Sequence, residues 1–206
     1  MRSVHVSGEE LPLAKVRNAA AAASSGEHLL FLDVDCIPSR RLVERYGAAL
    51  EKDDALFLSE DYYLPAGAAT LPLDFDALDA AGKPHPAKPR LPDEGRRREP
   101  DHGELWGLCF GVRRSRWNLV DGMDEAFIGY GAEETDLAAK LAAAKTKVFW
   151  LGGARAYHQH HAVQIPPLQH FDAIIRNAAR FRRKLGALSD GLLARPVPGT
   201  QAHQAR

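Results

Sequence analysis

The sequence predicts an α/β fold, a sheet with helices packed against it. Three observations predict it. Apolar runs at 28–34, 55–62, 105–113 and 147–151 are short and rich in strand-forming residues. Helix-like stretches at 13–25, 40–52 and 132–144 alternate with them, the rhythm of strand–helix–strand units. The first run, HLLFLDV, is continuously apolar rather than alternating, which suits a buried parallel strand.

Residues 2–6 alternate weakly and suit a short strand. Pro12 fits the first turn of a helix, and LAKVRNAAAAASS, rich in alanine, runs on to Gly26, a natural stop. After the strand at 28–34, Ser39 is suited to cap a helix over 40–52. A strand over 55–62 follows. Residues 65–104 are proline-rich and charged, with few large apolar side chains, and read as a long, partly mobile loop. Such a loop is either a substrate lid or a tolerated surface insertion. Order returns with LWGLCFGVR, where Gly107 and Gly111 permit close backbone approach. A short helix over 114–123 ends at Gly122. A glycine-rich turn, the helix 132–144 and the strand 147–151 come next. Residues 167–186 form a basic amphipathic helix with the stripe Leu168, Phe171, Ile174, Ile175, Ala178 and Phe181. The expected division is a domain over 1–165, the helix within 166–188, and a flexible tail over 189–206.

The chain has 206 residues, 45% hydrophobic and 26% charged, the balance of an ordinary globular protein with one core. Lys plus Arg and Asp plus Glu both number 27, so no net charge draws it to nucleic acid or an anionic membrane. No apolar run is long enough to span a membrane, and MRSVHVSGEELPL lacks the apolar core of a signal peptide. Two cysteines, Cys36 and Cys109, are too few for a disulfide framework, and a cytoplasmic setting is expected.

Three polar clusters stand out. Asp33 and Asp35 end the first apolar run. Residues i and i+2 of an extended segment point the same way, so both carboxylates would converge on one Mg2+ or Mn2+. The alternative is a solvated turn. Glu133, Glu134 and Asp136 open a helix, where acids are favoured electrostatically. The preceding FIGYGA would also set them beside a cleft, where a carboxylate could take a proton from a hydroxyl. His158, His160 and His161 leave the last strand, as a solvated turn or as an imidazole ligand.

The order of RN, FLDVDCIPS, LWGLCFGVRRSRW, GMDEAFIGYGAEETDLAAKL and AYHQ, over about residues 11–162, resembles the second half of a GT-A glycosyltransferase of the family 2 type. It is especially similar to the galactosyltransferase-like modules of β-1,4-galactosyltransferases and bacterial chondroitin polymerases. The resemblance implies a Rossmann-like mixed sheet flanked by helices. It implies a divalent metal, Mn2+ or Mg2+, held by Asp33, Asp35 and His158, and a nucleotide-diphosphate sugar, a UDP-sugar first. Arg17, Asn18 and Asp33 would approach the nucleotide. Trp106, Gly107, Tyr130, Gly131 and Asp136 would line the substrate pocket. Glu133 would hold the acceptor, a carbohydrate or other hydroxyl compound, and Glu134 would be the base of an inverting displacement. Glu134 stands where the family has Asp, one methylene shorter; Tyr130 replaces a Trp and Ala132 a Gly. The D-x-D lies only 33 residues in, so the resemblance implies a fold N-terminally truncated by the nucleobase-binding unit, as expected of a fragment, a misplaced start or a degenerate transferase. The edge this exposes would invite self-association. Two other functions remain: a non-catalytic scaffold of the same fold, whose basic helix would face a partner or membrane surface, and a metal-dependent phosphotransferase or hydrolase.

Overall fold

The computed structural model describes residues 3–8, 10–162, 164 and 166–185. The expected tail over 189–206 lies outside these residues. Residues 3–6, expected as a strand, are irregular. The alanine run forms α1 (Leu13–Ala23), which stops at Ser24, where the backbone turns extended. Ala14, Arg17 and Ala21 form its buried side, and two of these three are too small to hold the helix away from the sheet.

The strands are β1 (His28–Leu32), β2 (Cys36–Pro38), β3 (Ala55–Tyr63), β4 (Lys83–Pro84), β5 (Arg96–Glu99), β6 (Cys109–Arg113) and β7 (Lys147–His158). They make one mixed sheet with the path β1-β6-β3-β7-β2. β3 and β7 run parallel at its centre, while β6 is antiparallel to both β1 and β3. β4 extends the end of β3, and β5 lies antiparallel along the first part of β7. The helices α2 (Leu42–Lys52), α4 (Arg114–Leu119) and α5 (Glu133–Ala143) pack with α1 around the sheet.

The apolar run before the aspartates is therefore not a central parallel strand. β1 pairs antiparallel with β6 and ends the sheet among the described residues. Its apolarity has another cause: both of its faces are covered. Leu29 and Phe31 join Phe110, Trp117 and Leu137 in one core layer, where Phe31 stacks on Phe110 and Trp117 at 4.7 and 4.6 Å. Leu30 and Leu32 pack on the other side, against the layer of Leu42, Tyr46, Leu50 and Phe57.

β7 also exceeds its expected length. The strand expected over 147–151 continues through Gly152 and Gly153 to His158. The register with β3 shifts between Leu58 and Glu60, and Gly153 sits at φ 73°. The glycines leave room for the 91–95 backbone, which crosses here; Gly152 N–H donates to Gly95 carbonyl.

The region 65–104 is no irregular loop. It contains α3 (Phe75–Ala81), β4, β5 and a 3-10 turn at His102–Glu104. Asp74 caps α3 by accepting from the N–H groups of Asp76 and Ala77. Arg155 holds Asp79 and Asp93 at 2.8 and 2.6 Å, which ties the segment to β7. The prolines punctuate short elements rather than abolish them.

The last helix, α6 (Phe171–Leu185), uses much of its basic face internally. Arg176 pairs with Glu10, Arg180 with Asp124, and Lys184 with Asp124 and Asp136. Arg182 and Arg183 face outward. The apolar stripe is shifted from expectation: Ala178 and Phe181 are buried, while Leu168, Phe171 and Ile175 are at least half exposed. The main anchor is Asn177, 1% exposed, whose side-chain amide reaches the carbonyls of Ile128, Tyr130 and Gly131. Its two protons fix the glycine-rich turn to α6. Asn177→Ala should cost about 1–2 kcal/mol in urea denaturation, because it removes the amide that ties the turn carbonyls to α6.

Candidate active site

The acids at the end of β1 are set by a turn. Asp33 N–H still donates to Leu108 carbonyl, prolonging the β1–β6 ladder, and Cys36 N–H donates back to Asp33 carbonyl. The chain reverses between them, with Val34 at the tip, 96% exposed. On a turn, i and i+2 do not share a face, so the two carboxylates diverge. Asp33 stands toward Arg17, and Asp35 toward the end of β7.

Arg17 is the centre of the first half of the site. Its side chain is 10% exposed, and its guanidinium lies 3.3 Å from Glu134 and 3.9 Å from both Asp33 and Glu133. Three carboxylates thus gather around one buried cation. Burial raises the pKa of each; the Arg17 charge opposes it, and repulsion from neighbouring carboxylates, Asp35 in the case of Asp33, adds to it. For Glu134 the outcome is about 7. Glu134 also accepts from the Gly107 backbone, and Gly107 must be glycine, since a Cβ there would overlap both the Glu134 carboxylate and Arg17. The two acids open α5 from Ala132, which is left-handed at φ 73°.

The second half is built by β2 against β7. Cys36 pairs with His158, and Gln159 N–H donates to Asp35 carbonyl. This register brings the Asp35 carboxylate 3.3 Å from His158 Nε2 and 3.5 Å from His161 Nε2. One ligand atom from each lies within 4.8 Å of the others. His161 Nδ1 lies 3.2 Å from Ala162 carbonyl, a contact that would orient Nε2 toward a cation held beside Asp35. Burial lowers the pKa of His158, keeping it in the neutral form a metal requires. One carboxylate and two imidazoles fit a borderline cation such as Mn2+ better than Mg2+, which favours oxygen. Asp33 is not in this group; it stands between the halves, its carboxyl influenced by Arg17 on one side and by Asp35 and His158 on the other.

Other expected residues fall differently. Asn18 does not face a ligand: it exchanges hydrogen bonds with the Met123 backbone and staples α1 to the 121–125 turn. Asp136 is fully buried and ion-paired with Lys184, away from any cleft. Gly131, at φ 97°, shapes the turn before Glu133, and Tyr130 above it is 47% exposed and stacks on His170 at 4.9 Å. Trp106 adjoins Gly107 but has Lys88 Nζ 3.3 Å from its ring centre. His160 is exposed and outside the ligating group. His161 was within reach of sequence reasoning as part of HQHH. Tyr63, His85 and Lys88 carried no signal there, since their relation to Trp106 and His158 arises from strand pairing.

A family model described as the N-terminal domain of galactosyltransferase matches residues 98–162, about a third of the chain. That span carries Trp106, Gly107, Glu133, Glu134, His158 and His161. Among solved structures, GalNAc-T7 with UDP, GalNAc and Mn2+ superposes with a TM-score of 0.59 at 17% identity. The match covers 83% of this chain and 34% of that one. This chain has a GT-A glycosyltransferase-like fold. The GT-A-like domain thus spans about a third of the solved chain it matches. No curated protein matches it significantly.

The GT-A-like domain should depend on Arg17 most strongly at alkaline pH. Arg17→Gln leaves the buried Glu133 and the part-buried Glu134 and Asp33 without their cation and should cost about 2 kcal/mol at pH 8, less than breaking a fully buried pair. A carboxyl whose folded pKa is raised favours folding below its unfolded value and loses that contribution as pH rises through its folded value. For Glu134 that window runs from the ordinary 4.5 up to about 7. The gap between variant and wild type in urea denaturation should therefore shrink as pH falls from 8 toward 5.

Proposed function

We propose that this domain transfers a sugar from a nucleotide diphosphate to an acceptor hydroxyl. The observation that carries the reading is an acid poised near neutrality and a separate carboxylate–imidazole group, with Asp33 standing between them. The co-occurrence of UDP, GalNAc and Mn2+ in a structural neighbour supports it. Glu134, as carboxylate, accepts the proton of the acceptor hydroxyl while that oxygen attacks the anomeric carbon from the face opposite the diphosphate. A base with pKa near the working pH is best matched to this role. Glu134 is longer than the Asp it resembles, but Gly107 lets the turn before β6 lie against it and fixes its reach. Arg17, 3.3 Å away, orients the acid. Glu133, 4% exposed, keeps one carboxylate oxygen without a hydrogen-bond partner among the described residues, suited to an acceptor hydroxyl. Asp35, His158 and His161 would hold a divalent cation, which when bound neutralises charge on the leaving diphosphate. The displacement inverts the anomeric centre, and the product's anomeric proton coupling in NMR reads this directly.

UDP with Mn2+ should raise Tm by several degrees, as expected for a ligand well above its Kd. Asp35→Asn and His158→Ala should each remove that shift. Glu134→Gln should retain it yet lose about 100-fold or more in transfer. Transfer by the wild type should rise from pH 5.5 to 8 with an apparent pKa of about 7, because the base works only when deprotonated. Undiminished transfer by Glu134→Gln would sink the proposal.

A further inference from the structure

A row of rings connects the ligating group to Trp106. His158 lies 4.8 Å from Tyr63 between ring centres, Tyr63 5.2 Å from His85, and His85 4.9 Å from Trp106, edge to face. His85 is the member supplied by the proline-rich segment, and its backbone is fixed to the sheet. Lys83 and Pro84 pair with β3, and His85 N–H donates to Asp61 carbonyl at 3.0 Å. Lys88 N–H donates back to His85 carbonyl at 3.0 Å, closing the turn.

The ring has one assigned tautomer. Ala87 N–H donates to His85 Nδ1 at 3.2 Å, so Nδ1 carries no proton and the neutral ring bears it on Nε2. Burial and the nearby Lys88 charge favour that neutral form. No hydrogen bond to Nε2 is present among the described residues. The segment's cation is not offered to a ligand: the Lys88 side chain is 2% exposed and paired with Glu104. What the segment presents is a neutral N–H between a tyrosine and a tryptophan. Rings with a neutral donor suit a polyol, whose C–H faces pack on aromatics and whose hydroxyls need partners. Phosphate oxygens would sit beyond Tyr63, at the ligating group.

We propose that His85 donates from Nε2 to a hydroxyl of the sugar carried by the nucleotide diphosphate, and so determines which sugar is accepted. This rests on the transferase reading above. A sugar with that hydroxyl misplaced leaves the donor unpaired and binds more weakly.

His85→Asn separates this role from a structural one. Asn can still accept the Ala87 N–H through its side-chain oxygen, as turn residues do, but has no donor at the Nε2 position. His85→Gln places an amide N–H near that position. Calorimetry on the full chain with Mn2+ would compare UDP with UDP-glucose, UDP-galactose, UDP-GlcNAc and UDP-GalNAc. His85→Asn should bind UDP within about twofold of wild type, bind the preferred UDP-sugar about tenfold more weakly, and flatten the preference among the four, the scale of one lost hydrogen bond. His85→Gln should recover part of the loss. Unchanged sugar preference in His85→Asn, or equal loss for UDP and UDP-sugars, overturns the assignment while leaving the transferase reading intact. A wild type that binds no UDP with Mn2+ overturns both.

Discussion

One buried cation makes the acidic site possible. Asp33, Glu133 and Glu134 come from two distant parts of the chain and would repel one another in a low-dielectric setting. Arg17 lies within 3.3–3.9 Å of all three. The cation requires α1 to lie close against the sheet, which its small residues Ala14 and Ala21 allow. It requires Gly107, where any side chain would displace it. It also requires the turn before α5 to keep its shape, which Asn177 secures from α6. The balance is deliberate in its physical effect: burial lifts the acids and Arg17 restrains them, so that Glu134 settles near neutrality rather than remaining protonated.

The second half of the site depends on hydrogen-bond register instead of charge. β2 is only three residues long, yet its antiparallel pairing with β7 decides which carboxylate meets the imidazoles. A slip of one residue would exchange the faces of the two strands and send Asp35 away from His158. The length of β7 is equally necessary. Had it stopped at Gly152, the histidines would not reach the edge where Asp35 waits.

Much of this was legible in the sequence, for identifiable reasons. Helices α1, α2 and α5 follow from composition and periodicity, and β3 and β6 from apolar runs, although β6 begins only at Cys109 and the first four residues of the expected strand 105–113 lead into it through a turn. The acids Glu133, Glu134 and Asp35 and the imidazole of His158 could be singled out because the polar groups stand at the ends of apolar elements. What failed was everything that pairing decides. An apolar strand shows that both faces are covered, not which way its neighbour runs, so β1 was misplaced within the sheet. The two aspartates were expected to converge because an extended backbone was assumed through a segment that turns. Asp136 looks like its acidic neighbours in sequence, but helix geometry rotates it into the interior beside Lys184. The proline-rich region lacks the periodicity of long elements, and its short ones draw their order from the sheet they border.

That region joins the sheet twice, through β4 on β3 and β5 on β7, and carries neither Glu134 nor the ligating group. Its two seams are backbone pairings, which are largely indifferent to side-chain identity. The groups proposed to break and form bonds thus sit on different segments from the wall proposed to recognise what is moved. Side chains between the seams can be exchanged without touching either the tuned acid or its arginine.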